Sequence, residues 1–184
     1  MKIERTETLC PNPWVQFKQK VYLDADGTEK GWAYVERVNR QRAVFMVPID
    51  PRRKQLLLIR QYRLPLEGYV VEFPAGLIDP GESPETTAVR ELKEETGFTG
   101  ELLELSRPLA LSAGITNETA YLARMRVDLD PARQVAQEVE AVEEIEVLIV
   151  PLQELRARLQ EREKAGDVID AKLFCLSQSL LLEG

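Results

Sequence analysis

The sequence predicts an α/β fold, and three observations carry that expectation. Short apolar runs with strand spacing recur along the chain, one strongly signalled helix interrupts them, and two further helical patterns close it. The chain has 184 residues, 44% apolar and 30% charged, which fits one soluble globular domain with a small appendage. Folding at this length buries roughly 70% of the unfolded surface, so the core requires neither disulfides nor a structural metal.

Residues 14–23 (WVQFKQKVYL) alternate apolar and polar side chains, DADG follows as a turn, and residues 31–38 (GWAYVERV) alternate again. This is the pattern of a β-hairpin. Two strands are too few to stand alone, so the hairpin is expected to pack on the main body or on a second subunit. Residues 43–49 and 55–62, joined by the turn-like DPRRK, are continuous apolar runs, as in strands buried on both faces. A short strand at 69–73 leads into PAGLIDPGESP, a loop by its Gly and Pro content. A helix then starts at Ser83 as N-cap, with Pro84 at its first position and Glu85 at the positive end of its dipole, and Gly97 terminates it. Strands are expected at 101–111, 119–127 and 145–150, with a polar, Glu-rich loop at 128–144. Pro151 opens an amphipathic helix (LQELRARLQERE), and residues 170–182 form a last apolar helix.

Composition excludes several chemistries. Lys plus Arg is 24 against 31 for Asp plus Glu, a net charge of −7, unsuited to holding long nucleic acid through its phosphates. No apolar run has the length of a membrane span, and MKIERTETLC mixes charges where a signal peptide needs an apolar block. Cys10 and Cys175 form no C-x-x-C pair, which fits a reducing cytoplasm. With no histidine in the chain, Ser-His, Cys-His and histidine-metal sites are excluded. Carboxylates must carry the acid/base or metal chemistry.

They are concentrated between Gly76 and Phe98, in GLIDPGESPETTAVRELKEETGF. Glu91, Glu94 and Glu95 stand at i, i+3 and i+4 and share one stripe of a helix. Like charges so close repel, and a compensating cation relieves them. The all-oxygen donor set favours Mg²⁺ or Mn²⁺ over zinc. Arg90 is placed to hold a neighbouring carboxylate in one rotamer. The alternative reading of ELKEE alone is a solvated helix face.

The segment resembles the Nudix box, G-x5-E-x7-R-E-U-x-E-E-x-G-U with U bulky and apolar, at every defined position: Gly76, Glu82, Arg90, Glu91, Leu92, Glu94, Glu95, Gly97 and Phe98. The resemblance implies an α/β/α sandwich with a mixed central sheet, preceded by a small N-terminal antiparallel sheet. On that division residues 1–42 are the hairpin region and 43–184 the Nudix domain. RQYRLPLEGYVVEFPAGLIDPGE extends the similarity to the ADP-sugar (ADP-ribose) pyrophosphatase branch.

For this chain the branch implies Mg²⁺-dependent cleavage of a nucleoside diphosphate sugar, most directly ADP-ribose to AMP and ribose 5-phosphate. The Ala75 carbonyl, Glu91, Glu94 and Glu95 would hold the ions, with Arg90 and Glu94 in the catalytic set. It also implies a homodimer that exchanges its N-terminal sheet, so that Trp14 and Trp32 hold the base from two subunits. Arg37 and Arg63 fall at its phosphate- and ribose-contacting positions, and Leu77 and Gly114 in its substrate-contacting loops. Indole faces and guanidinium groups suit those tasks. A tryptophan on a strand is equally a packing residue, and Arg37 a surface charge. The branch takes its general base from a loop after the box. Here Glu143 matches best, with Glu140 and Glu144 next. One departure is LSAGITNE at 111–118, where Ala113 replaces the proline of a Ser-Pro-Gly-like turn near the sugar. The competing functions are a GDP-mannose or UDP-glucose pyrophosphatase, and a non-catalytic nucleotide-sensing domain.

Overall fold

The computed structural model describes residues 1–139 and 144–179. Strands β1 (Lys2–Cys10), β2 (Val15–Leu23) and β3 (Glu29–Arg37) form an antiparallel sheet in the order β1-β2-β3. The expected hairpin therefore has a third strand. β1 is exposed along almost its whole length, so it is held by its backbone ladder to β2, and apolar periodicity gave no sign of it. Its pairing is irregular between Ile3 and Arg5 and again between Thr8 and Cys10, as is common for a sheet edge. In the DADG turn Asp24 Oδ1 accepts from the Asp26 and Thr28 amides at 2.9 and 3.0 Å.

The main sheet runs β12-β6-β5-β4-β10-β8, with β11 also on β5, β7 on β4 and β9 on β10. Its strands are β4 (Ala43–Asp50), β5 (Gln55–Arg63), β6 (Gly68–Glu72), β7 (Ala75–Leu77), β8 (Gly100–Leu105), β9 (Leu109–Ala110), β10 (Thr119–Val127), β11 (Ile145–Pro151) and β12 (Val168–Ile169). The β4–β10 and β6–β12 pairs are parallel and the others antiparallel, so the sheet is mixed.

Helix α1 (Pro84–Thr96) covers one face, and α2 (Leu155–Lys164) and α3 (Ala171–Ser179) the other. The period of two along β4 divides the core between them. Val44 and Met46 pack with Ala88 and Leu92 of α1. Phe45 and Val47 face Leu155, Leu159 and Leu173 of α2 and α3. In β5, Leu57 joins the first cluster and Leu56 and Leu58 the second. This double burial is why both strands read as continuous apolar runs.

Strand β4 pairs with β5 only at Ile49↔Leu56 and Asp50↔Gln55. Beyond that turn the strands part, β5 continuing with β6 and β11 while β4 takes up β7 through Ala43↔Leu77, Val44↔Gly76 and Phe45↔Ala75. The segment expected to be wholly loop thus contains a strand, which carries Ala75 and Gly76 beneath α1. Two other elements differ in extent. The strand expected at 101–111 is divided into β8 and β9, and Pro151 both closes β11 and caps a 3-10 turn (Leu152–Glu154) that runs into the expected helix. The Leu152 amide donates to the Lys54 carbonyl, and α2 follows the 3-10 turn at Leu155. Residues 180–182 of the last expected helix lie outside the described residues. Both cysteines are exposed and free, and no described helix is long and apolar enough to cross a membrane.

Candidate active site

Helix α1 is fixed at both ends by its own sequence. Ser83 Oγ accepts from the Thr86 amide at 3.2 Å, and Gly97 ends the helix at φ 73°, its amide donating to the Lys93 carbonyl at 2.8 Å. Between these caps Arg90 gathers the acidic side chains. Its Nε and Nη2 donate to the two carboxylate oxygens of Glu82 at 3.0 and 2.8 Å. Its Nη1 reaches both Glu91 Oε1 and Glu94 Oε2 at 2.9 Å. Thr87 Oγ1 donates to Glu82 at 2.8 Å, so Glu82 ties the Gly-rich loop to the helix. Arg90, then Thr87, hold the Glu82 carboxyl down at about 2, and the same Glu82 pair raises the Arg90 guanidinium further above its ordinary range.

Glu95, 4% exposed, accepts from the Ala75 amide at 3.0 Å. Glu91 lies so close to Gly76 that a Cβ there would sit 1.9 Å from its carboxyl carbon. Ala75, Gly76, Leu77 and the carboxylates of α1 therefore form one assembly.

The other expected site residues lie around it. Trp32, on β3, donates from Nε1 to the Gly114 carbonyl at 3.2 Å, and the Val35 amide donates to Ile115 at 2.8 Å. The departing 111–118 loop is thus bound to the edge of β3. Glu36, buried on that strand, accepts from Lys18 and Asn117. Arg37 Nε donates to Glu118 at 2.6 Å and Arg63 Nε to Glu72 at 2.7 Å. Trp14 is 81% exposed and Trp32 55%. Trp14 lies at one end of the β2–β3 ladder, where it accepts from the Val38 amide, and Trp32 pairs with Lys20 near the ladder's middle. Val38 is six residues beyond Trp32, or about 20 Å of strand.

Of the three candidate bases, Glu140 and Glu143 lie outside the described residues, whereas Glu144 accepts from the Tyr69 hydroxyl at 2.5 Å. The stretch leading to them is laced to the end of α1. The Val135 amide donates to Gly97 at 2.9 Å and the Glu138 amide to Glu94 at 2.8 Å. Gln134 Nε2 donates to the Thr96 carbonyl at 3.0 Å, and Gln137 donates to the Glu95 carbonyl. Sequence reasoning passed over these glutamines and Tyr69, whose partners lie tens of residues away.

A NUDIX domain model matches residues 39–171. The chain belongs to the Nudix family. It is 32% identical over 184 residues to an ADP-sugar pyrophosphatase of Mus musculus, covering 95% of this chain and 84% of that protein. It is also 32% identical over 179 residues to an ADP-ribose pyrophosphatase of Saccharomyces cerevisiae, covering 92% and 78%. A crystal structure of an ADP compounds hydrolase superposes with a TM-score of 0.72 at 25% identity, covering 100% of this chain and 97% of that one. The chain is a Nudix hydrolase, and its sandwich is the Nudix fold.

Nudix hydrolases use divalent metal ions. The residues here fit one by chemistry: three glutamates on one helix face beside the backbone of β7, with oxygen donors only. Among the described residues no three acidic side chains converge as a finished cage, and Arg90 Nη1 binds both Glu91 and Glu94.

Two expected outcomes follow from this Nudix geometry. Gly76→Ala drives the new methyl into the Glu91 carboxyl, the free end of a flexible side chain, so the glutamate moves at little cost to the fold. The melting temperature should stay within a few degrees while kcat falls about a hundredfold, as calorimetry and initial rates will show. The second concerns pH. Glu82 is depressed from 4.5 to about 2, so its contribution to stability is complete above pH 4.5 and is lost as pH falls toward 2. The difference in melting temperature between wild type and Glu82→Gln should shrink across that window. A difference independent of pH would remove the Glu82–Arg90 pair as its cause.

Proposed function

We propose that this Nudix hydrolase cleaves the pyrophosphate bond of a nucleoside diphosphate sugar, converting ADP-ribose to AMP and ribose 5-phosphate, as a cytoplasmic homodimer. The observation that carries the reading is the joined assembly of Glu82, Arg90, Glu91 and Glu94 on one side and Glu95 with Ala75 on the other. The names of its relatives, ADP-sugar and ADP-ribose pyrophosphatase, support the substrate class.

The Ala75 carbonyl, Glu91, Glu94 and Glu95 are the residues to hold Mg²⁺, or Mn²⁺ in its place. Such ions neutralise pyrophosphate charge and acidify an attacking water. Arg90 orients Glu91 and Glu94. Arg63 and Arg37 contact the phosphates and ribose, and Leu77 and Gly114 complete the substrate-binding set. Glu143 takes the proton from the water as its oxygen bonds to one phosphorus and the bridging oxygen leaves with the other phosphate.

Trp14 and Trp32 clamp the base from two subunits. Their separation by about 20 Å along one sheet prevents one copy from closing a stack with both. Stacking acts in the ground and transition states alike, so Trp32→Ala should raise KM for ADP-ribose about tenfold to a hundredfold, for ~1–3 kcal/mol of stacking, with little change in kcat. An unchanged KM would withdraw Trp32 from the base site.

The substrate is tested by initial rates on ADP-ribose, ADP-glucose, GDP-mannose, UDP-glucose and FAD, with products identified. The highest kcat/KM is expected for ADP-ribose. Preference for GDP-mannose or UDP-glucose would move the assignment within the enzyme class, and turnover of none would favour a nucleotide-sensing domain.

A further inference from the structure

Glu36, 3% exposed on β3, is a buried carboxylate that the chemistry above does not use. Its Oε1 accepts from Lys18 Nζ on β2, and its Oε2 from Asn117 Nδ2, 81 residues further along the chain. A carboxylate is taken so far out of water only where such partners offset its lost hydration. Asn117 belongs to a segment that runs alongside β3 in one register. Val35 bridges Thr116 in parallel sense, and the Val35 amide donates to the Ile115 carbonyl at 2.8 Å. The side chains continue that register, Glu36 taking Asn117 and Arg37 taking Glu118, while Trp32 Nε1 donates to the Gly114 carbonyl. β3 is an edge of the small sheet, and Thr119, next after Glu118, begins β10 of the main sheet. Residues 114–118 are therefore a seam between the two sheets. Within it the Glu36 contact is the one anchored in the interior, since Trp32 is exposed and Arg37 partly so.

We propose that Glu36 is a positioning residue for substrate binding: paired with Lys18, it fixes Asn117 and so keeps Gly114, Trp32 and Arg37 in register with one another. This rests on the reading of those three residues as part of the substrate-binding set and deepens it. Glu36 and Asn117 act through these neighbours and not on the substrate itself. A seam already in register spares the substrate the cost of ordering loop and strand, which is otherwise taken from binding. Contacts to a base or a phosphate act in the ground and transition states alike. Loosening the seam is therefore felt in KM, with kcat, set by the carboxylates of α1, nearly unchanged.

The test breaks the contact and then rebuilds it with donor and acceptor exchanged. Asn117 is exposed, so replacing it should leave the melting temperature near wild type. Asn117→Asp sets a second carboxylate against Glu36, and KM for the best substrate of the panel above, expected to be ADP-ribose, should rise about tenfold, the worth of one hydrogen bond to a charged group, with kcat within about twofold. Asn117→Ala, which removes the donor without adding repulsion, should show the same split to a smaller degree. Glu36→Gln combined with Asn117→Asp gives an amide donor facing a carboxylate, leaves Lys18 an oxygen to pair with and keeps the total charge. Its KM should return to within about threefold of wild type. Wild-type KM in both Asn117 variants, a kcat that falls as far as KM rises, or a double variant no better than Asn117→Asp would overturn the proposal. If the double variant does not fold, Asn117→Ala, which keeps the buried Lys18–Glu36 pair, decides by its KM alone. Trp32→Ala and Arg37→Ala measured alongside separate the two levels. If they raise KM and the Asn117 variants do not, only the positioning falls; if they leave KM unchanged, or wild type neither cleaves nor binds any substrate of the panel, the substrate-binding reading falls and takes the positioning with it. Binding without cleavage puts the calorimetric dissociation constant in place of KM, with the same outcomes.

Discussion

Glu94→Gln is expected to lower kcat by about three orders of magnitude while leaving the fold intact. Glu94 is partly exposed on α1 and its carboxylate accepts from Arg90, a pairing an amide oxygen can also accept. Nothing in either core cluster rests on it. Removing its charge even relieves repulsion with Glu91 and Glu95 on the same stripe. The loss therefore falls on the function proposed for the carboxylate, the retention of a divalent ion worth several kcal/mol to the transition state. Rates measured over a wide range of Mg²⁺ concentration, together with a thermal melt, check both halves. Near-wild-type turnover at saturating Mg²⁺ would mean that the stripe is not the metal site.

The next largest effect is expected for Glu143→Gln. A general base contributes about 10²–10⁴ to the rate, and its amide replacement cannot accept the water's proton. kcat should collapse by that factor with KM for ADP-ribose nearly unchanged, the reverse of the split expected for Trp32→Ala. If Glu143→Gln keeps its rate and Glu140→Gln loses it, the base lies three residues earlier, and the Nudix chemistry stands with a different residue in that role.

The difference in legibility between these residues and their surroundings has a physical cause. The carboxylates of α1 were visible because one helix brings them together at i, i+3 and i+4, with Ser83 and Gly97 marking its ends within the same short stretch. β4 and β5 were visible because each buries both faces. β1 was not, because a solvent-exposed edge strand is specified by backbone pairing more than by apolar spacing. β7 has three residues inside a Gly- and Pro-rich segment, too few for any period to register. What surrounds the acidic stripe was the least legible. Tyr69 meets Glu144 across 75 residues, Arg60 meets Asp167 across 107 and Gln137 meets Glu95 across 42. Such partners are chosen by the folded topology, and nothing local in QVAQ or GYVVE announces them. Gly76 lies between the two cases. As a motif position it was legible, but only the fold shows its reason, which is the Glu91 carboxyl occupying the space of a side chain.

The central claim, that this assembly hydrolyses a pyrophosphate between a nucleoside and a sugar, is tested most directly by incubating the purified protein with ADP-ribose and Mg²⁺ and identifying the products by mass spectrometry. AMP and ribose 5-phosphate are expected in equal amounts, formed by wild type and lost in Glu94→Gln. Unconsumed ADP-ribose, or cleavage to ADP and free ribose, would contradict it.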